Sequence, residues 1–286
     1  MLPFVFLVFA AHMFIGSSKL SNGVNLQPSY YNGGEVTFGW SLMEKHREIK
    51  MVRIEVEPDK VSVATEWIKE AASKNYDIIV TYHKCSVLGS DNTEELKEAA
   101  DWWVTNYAML RQSGDFTMNL MNEWGSHDQT EQSYADAYNS AIHIIRSGTN
   151  YKGDIIIDIP GWGQETLTAA NASPNITDKS VILSAHVYPG GYNQGEGRYL
   201  VSSDMDQLVS TGRRCIIGEF GFLGDGPVDV EAVVSHAKSI GFQSVISWAW
   251  NGDGGDMNMV YPAWKNSPQA MEYTEGEYFH DGIYLL

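Results

Sequence analysis

Two glutamates stand in settings that invite chemistry: Asn122-Glu123-Trp124-Gly125 and Gly218-Glu219-Phe220-Gly221. Each closes an apolar run that reads as a buried strand, Phe116–Met121 and Cys215–Gly218, and each leads into glycine-containing loop sequence. A carboxylate at the carboxyl end of a buried parallel strand has little structural use. A pair of them, on separate strands, is what a retaining glycosidase needs as acid/base and nucleophile.

The elements that must hold this pair alternate along the chain. Strand-like segments are Val36–Trp40, Met51–Val56, Asp77–Tyr82, Phe116–Met121, Asp154–Ile159, Val181–His186, Cys215–Gly218 and Ser244–Ala249. They are rich in Val and Ile and apolar on both faces, as strands buried between layers are. Between them, helical spacing aligns Ala64, Trp67, Ile68, Ala71 and Ala72, then Leu96, Ala99, Ala100, Trp103, Tyr107 and Leu110, then Tyr134, Ala137, Tyr138, Ala141 and Ile145. Strands alternating with helices in this number predict an α/β fold, a single (β/α)8 TIM barrel. No Gly-x-Gly-x-x-Gly follows the first strand, as a doubly wound nucleotide-binding fold would require. The first unit is the odd one, with only about ten residues between Trp40 and Met51, room for a short helix at most.

At 286 residues, with 43% hydrophobic and 12% aromatic content, the chain can bury one large core. Its net charge of −17 argues against a phosphate-tracking surface and so against nucleic acid. A neutral polymer is a compatible partner. The apolar run Leu2–Gly16 is too short to span a bilayer, and small residues follow it. Residues 1–20 are therefore expected to be a signal peptide, with a buried N-terminal strand or helix as the alternative, and 21–286 the catalytic domain. That makes the mature protein secreted, with no membrane segment. The sequons Asn171-Ala172-Ser173 and Asn175-Ile176-Thr177 agree with that route. Cys85 follows one strand and Cys215 opens another, which puts them at opposite barrel ends. Two free, largely buried thiols are expected.

Polar and aromatic side chains gather where strands should end: Arg53 within the second, His83 after the third, Asn122 and Glu123 after the fourth, Trp162 after the fifth. His186 and Tyr188 end the sixth, Glu219 the seventh, and Trp248 and Trp250 the eighth. Active sites of such barrels are built from those ends. Trp250, Trp102 and Trp103 read as packing, and His83 serves equally as a rim histidine or a substrate contact. The acids of Asn251–Asn258 miss EF-hand spacing, so a flexible rim loop is expected there. No zinc spacing, P-loop or serine nucleophile elbow occurs, and neither metal nor cofactor is expected.

In order and spacing, VRIEV, the strand ending YH, NEWG, DIPGWGQ, AHVY, IGEFG and SWAWNG resemble glycoside hydrolase family 5, most closely its bacterial-type endo-β-1,4-mannanases. The resemblance runs from about Met51 to Trp250. It implies Glu123 as acid/base, Glu219 as nucleophile, Asn122 on the sugar 2-hydroxyl, and Arg53, His186 and Tyr188 holding the nucleophile and hydroxyls. Trp248 would form a sugar platform, with His83 and Trp162 at the substrate as well. The usual aromatic motif of the first strand is not recognisable around Val36–Met43, and Trp124 stands where most of the family has proline. Tryptophan there resembles the bacterial mannanases, so a plant-type β-mannan or related β-1,4-glycan is the implied partner of a monomeric enzyme. A β-1,4-glucanase with the same glutamates, or a non-catalytic sugar-binding barrel, remains open.

Overall fold

The computed structural model describes residues 19–286. The expected signal segment falls almost wholly outside them. Eight parallel strands close into one barrel: β1 Gly23–Leu26, β2 Met51–Val56, β3 Asp77–Tyr82, β4 Thr117–Asn119, β5 Ile155–Asp158, β6 Val181–Val187, β7 Arg214–Phe220 and β8 Val245–Asn251. Each strand pairs with its neighbours in chain order, and β1 pairs with β8 to close the ring. This is a (β/α)8 barrel.

After the short α1 (Trp40–Met43), the outer helices are α2 (Val61–Ser73), α3 (Thr93–Ser113), α4 (Glu131–Gly148), α5 (Thr166–Ala172), α6 (Asp204–Ser210), α7 (Val230–Ser239) and α8 (Phe279–Tyr284). The apolar stripes of α2, α3 and α4 face the barrel, with Trp67, Trp103 and Tyr138 among the buried residues. Caps fix the starts of α3 and α4: the side chain of Asn92 accepts from Glu94 N and that of Thr130 from Ser133 N. No helix among the described residues is long and apolar enough to cross a membrane.

The first strand is not Val36–Trp40. Those residues lie in the connection from β1 to β2, and the carbonyls of Thr37 and Phe38 are taken by indoles instead of a neighbouring strand. Trp264 Nε1 donates to Thr37 O and Trp250 Nε1 to Phe38 O, both through close contacts of 2.9 and 2.8 Å. Phe38 stacks on Trp40 and meets Trp264 edge-on, so the apolar spacing of this segment serves aromatic packing outside the barrel. The true β1, Gly-Val-Asn-Leu, is short and of low strand propensity. Its glycine is obligatory, because a Cβ on Gly23 would lie 1.9 Å from Met51 O.

Both cysteines are free. Cys215 is buried in β7, where burial pushes its thiol up to about 12. Cys85 differs from expectation: it sits in an exposed turn after β3 instead of the interior. The sequon residues Asn171 and Asn175 are exposed. The loop Asn251–Asn258 is not loose. Asn258 Oδ1 accepts from Gly252 N and Asp253 N, and Asp253 Oδ2 accepts from Met257 N, which folds it into a bonded turn.

Candidate active site

Inward-facing positions change character along the barrel axis. At the amino end Met51, Ile79, Ile156, Ile182, Ile216 and Ile246 form an apolar plug. Two residues further on, where the strand period returns to the same face, stand Arg53, Thr81, Asp158, Ser184, Gly218 and Trp248. The plug closes the floor, and the polar layer above it is the site.

Strict alternation from Ile216 through Gly218 would turn Glu219 outward. The pairing prevents it. Along β6 and β7, Ala185 is opposite Ile217 but His186 is opposite Glu219, and β8 shows the matching slip, Val245 to Ile217 and then Ser247 to Phe220. One extra residue in β7 reverses the phase and aims Glu219 at the interior. Glycine is needed at the slip, since a Cβ on Gly218 would stand 2.2 Å from Ser184 Oγ.

Arg53, fully buried, organises the layer. Its Nη1 donates to Glu219 Oε1 at 2.9 Å, Glu55 Oε1 at 2.8 Å and Asn25 Oδ1 at 2.9 Å. Its Nε and Nη2 share Asn119 Oδ1, and Nη2 also reaches Asn122 Oδ1. A buried guanidinium requires such partners. The other oxygen of Glu219 accepts from Tyr188 Oη at 2.7 Å. Burial and the charge of Glu219 raise the Tyr188 phenol well above its usual range, so it stays a donor.

Glu123 lies beyond β4 with a left-handed φ of 48°, unusual for a residue with a side chain. Its backbone is fixed on both sides: Glu123 N donates to Asp158 Oδ2 at 2.9 Å and its carbonyl accepts from Gly89 N at 2.8 Å. Trp124 is buried, donates to Asn92 O and packs on Tyr138, so it anchors this loop. Strain held by surrounding contacts is a mark of functional positions.

Between the glutamates stands His186. Its Nδ1 is 2.9 Å from Glu123 Oε1 and 3.6 Å from Glu219 Oε1, and its Nε2 is 3.5 Å from Asp158 Oδ2. Burial opposes its charge, but Glu219, Asp158 and Glu123 together hold its pKa well above the usual histidine range. Asp158 is the counterpart: against burial, His186 and Arg53 hold it down at about 2. Glu123 is pushed up, by burial first and by the charges of Glu219 and Asp158, while His186 pulls the other way. One oxygen of Glu123 and one of Glu219 lie within 4.8 Å of each other. The imidazolium among them makes a hydrogen-bonded acid cluster, whereas a metal would need the histidine neutral.

Aromatic residues line the mouth. Trp248 on β8 donates through Nε1 to Asp253 Oδ1 at 2.9 Å, so the bonded turn after β8 holds its ring. Trp162, 36% exposed and left-handed at φ 54°, lies over Gly89 and 5.3 Å from the His127 ring. His83 is 3% exposed and committed to neighbours: Glu55, Glu57 and Tyr30 surround its two nitrogens. Glu55 and Arg53 link it to Glu219. Trp103, as expected of packing, is buried and donates to Leu120 O.

A family model described as cellulase (glycosyl hydrolase family 5) matches residues 36–254. The chain belongs to this family. Among solved structures, the catalytic domain of a mannanase from Streptomyces sp. SirexAA-E is similar at 19% identity, with a TM-score of 0.72 over 93% of this chain and 85% of that one. A β-mannanase from Thermomonospora fusca gives 22% identity and 0.72 over 93% and 89%. The Thermobifida fusca endoglucanase Cel5A gives 14% identity and 0.66 over 85% and 83%. No curated protein sequence matches the chain.

For a glycosyl hydrolase of family 5, the residues singled out from sequence fall into two groups. Glu123, Glu219, Arg53, Asn122, His186 and Tyr188 form one bonded cluster, whereas His83, Trp162 and Trp248 stand around it. Sequence reasoning overlooked Asp158, Asn119, Asn25 and Glu55. Asp158 and Glu55 carried a signal, an acid within a strand of branched apolar residues, at an inward position. Asn25 was hidden because its strand was assigned elsewhere.

Proposed function

We propose that this glycoside hydrolase is a secreted, monomeric, retaining endo-β-1,4-mannanase acting on mannan or glucomannan. The observation that carries the reading is the spacing of Glu123 and Glu219, whose nearest oxygens lie within 4.8 Å. Retaining enzymes keep their carboxyl groups roughly 5–5.5 Å apart, while inverting ones leave roughly 6.5–9.5 Å for a water.

Glu219, gripped at both oxygens by Arg53 and Tyr188, is suited to attack the anomeric carbon as a carboxylate. Glu123, raised by burial and its acidic neighbours, keeps the proton that the leaving oxygen takes as the glycosidic bond breaks. In the second half Glu123 accepts a proton from water, the water oxygen bonds to the anomeric carbon, and the bond to Glu219 breaks. Asn122, its oxygen held by Arg53, turns its amide NH2 toward the sugar 2-hydroxyl. The ring of Trp248 offers an apolar face to a pyranose, and Trp162 extends that surface outward.

Mannan is favoured over cellulose by the resemblance of the Asn122-Glu123-Trp124-Gly125 motif to the bacterial mannanases and by the mannanases among the similar structures. Action outside the cell is supported by the apolar run Leu2–Gly16 and the exposed sequons. The test is reducing-sugar release from linear mannan, glucomannan and a soluble cellulose derivative, with Glu219→Gln as control. Mannan cleavage that vanishes in the variant supports the reading. Cleavage of the cellulose derivative alone makes the protein a glucanase, and binding without cleavage makes it a non-catalytic barrel.

A further inference from the structure

Glu55 is a buried carboxylate that the mechanism above leaves without a part. It follows Arg53 by two residues on β2 and so faces the same interior. Its Oε1 accepts from Arg53 Nη1 at 2.8 Å. Its Oε2 accepts from Gln27 Nε2 at 2.9 Å and lies 3.4 Å from His83 Nε2. Arg53 Nη1 carries two hydrogens but has three acceptors in reach: Glu55 Oε1, Glu219 Oε1 and Asn25 Oδ1. A tighter hold on Glu55 is therefore a looser hold on Glu219.

We propose that Glu55 is a positioning residue for the nucleophile, competing with Glu219 for Arg53 Nη1 so that its charge sets how firmly Glu219 is gripped. This rests on the reading of Glu219 as nucleophile. Ionised Glu55 draws the guanidinium hydrogen away and leaves Glu219 richer in electron density. Protonated Glu55 releases that hydrogen to Glu219 and dampens its attack.

The charged and titratable groups around Glu55 come from several elements. Arg53 and Glu57 share β2 and its extension, His83 follows β3, and Glu219 lies on β7. Tyr188 follows β6, and Tyr30 comes from the β1–β2 connection. Burial, helped by the charge of Glu219, pushes Glu55 up to about 6 against the pull of His83, Arg53 and Gln27. The competition then switches within the range where a glycosidase works.

The experiment measures kcat and KM on soluble mannan from about pH 4 to pH 8 for the wild type, Glu55→Gln and Gln27→Met. For Glu55→Gln, kcat should fall about tenfold above pH 6 with KM unchanged, as expected for weakening a charge-assisted hydrogen-bond network. The inflection near pH 6 should disappear, because the amide does not titrate. Gln27→Met removes the donor to Oε2, which favours the protonated acid, so the inflection should move to higher pH. A uniform loss at every pH, with the inflection kept, is what a merely structural Glu55 would give, and it overturns the proposal. If Glu55→Gln fails to fold, an unmoved inflection in Gln27→Met overturns it instead. Wild-type protein inactive on every β-glycan removes the functional reading and this inference with it, whereas an active enzyme with unchanged profiles removes the inference alone.

Discussion

Gly218→Ala tests whether the slip in β7 is what aims the nucleophile. The new Cβ would lie 2.2 Å from Ser184 Oγ and 3.1 Å from His186 Nε2, while ordinary contact begins near 3.4 Å. Ser184 is fully buried in β6, so the overlap is relieved only by moving backbone or turning the hydroxyl away. Overpacking of this kind costs roughly 1–3 kcal/mol. In a chain of this size that lowers Tm by roughly 2–8 °C. Because Glu219 is the next residue, a shift of about 1 Å is passed to it directly and should cost on the order of a hundredfold in kcat. Among the described residues Ser184 Oγ has no hydrogen-bond partner, so Ser184→Ala alone should change stability and turnover little. In the double variant the 2.2 Å contact is gone and the 3.1 Å one remains. Most of the stability and a good part of kcat should return, giving a coupling of roughly 1–2 kcal/mol between the two sites. Thermal unfolding and initial rates on mannan for the four proteins decide it. The reasoning fails if Gly218→Ala matches the wild type, or if Ser184→Ala rescues neither Tm nor kcat.

Glu123→Ala should lose most activity on polysaccharide but recover on substrates with good leaving groups or with added azide, since only proton delivery is removed; a folded variant that azide does not restore speaks against the acid/base role. The raised Glu123 also sets the basic limb of the pH profile: the acid is active below its pKa, so turnover should persist above the usual carboxylate range and then fall as pH rises. Asp158 is depressed from 3.8 to about 2, so its contribution of about 2 kcal/mol is present above pH 4 and lost as pH falls toward 2. The Tm gap between wild type and Asp158→Asn should therefore be widest near neutrality and narrow over that acid window; a gap that is constant with pH refutes the linkage. Thiol titration should find two free cysteines in the unfolded, unreduced chain, and in the native protein Cys85 should react quickly and Cys215 slowly. Equal native rates would contradict the placement of Cys215 in the core.

What the sequence made legible follows from period and type. The stripes of α2, α3 and α4 could be read because one helical face repeats over many residues, and seven strands because short, mostly apolar runs alternate with those helices. Val36–Trp40 misled because spacing reports burial, not the partner that causes it. Phe38 is buried and Trp40 half-buried among other rings, and an aromatic cluster outside a barrel has the same local signature as a strand within it. The β1 strand, by contrast, owes its place to closure. Asn25 there donates to Gly218 O and Ser247 O and accepts from Arg53, contacts made across the interior by residues distant in the chain.

The same distinction divides the site. Glu123 and Glu219 were visible because each ends an apolar run, but neither orientation could be derived locally. A strict strand would turn Glu219 away from the cavity, and only the register against β6 and β8 shows the extra residue that turns it back. Glu123 faces inward through a left-handed backbone that Asp158 on β5 and Gly89 in the loop after β3 secure. Residue type thus announces which groups react, while their aim is a property of the closed ring. Asp158 shows why such supports escape sequence reading: its oxygens serve the backbone of one glutamate, the guanidinium that grips the other and the imidazole between them. A group whose function is divided among three partners in space leaves no motif in the chain. Its only trace is a charge where an isoleucine would otherwise fit.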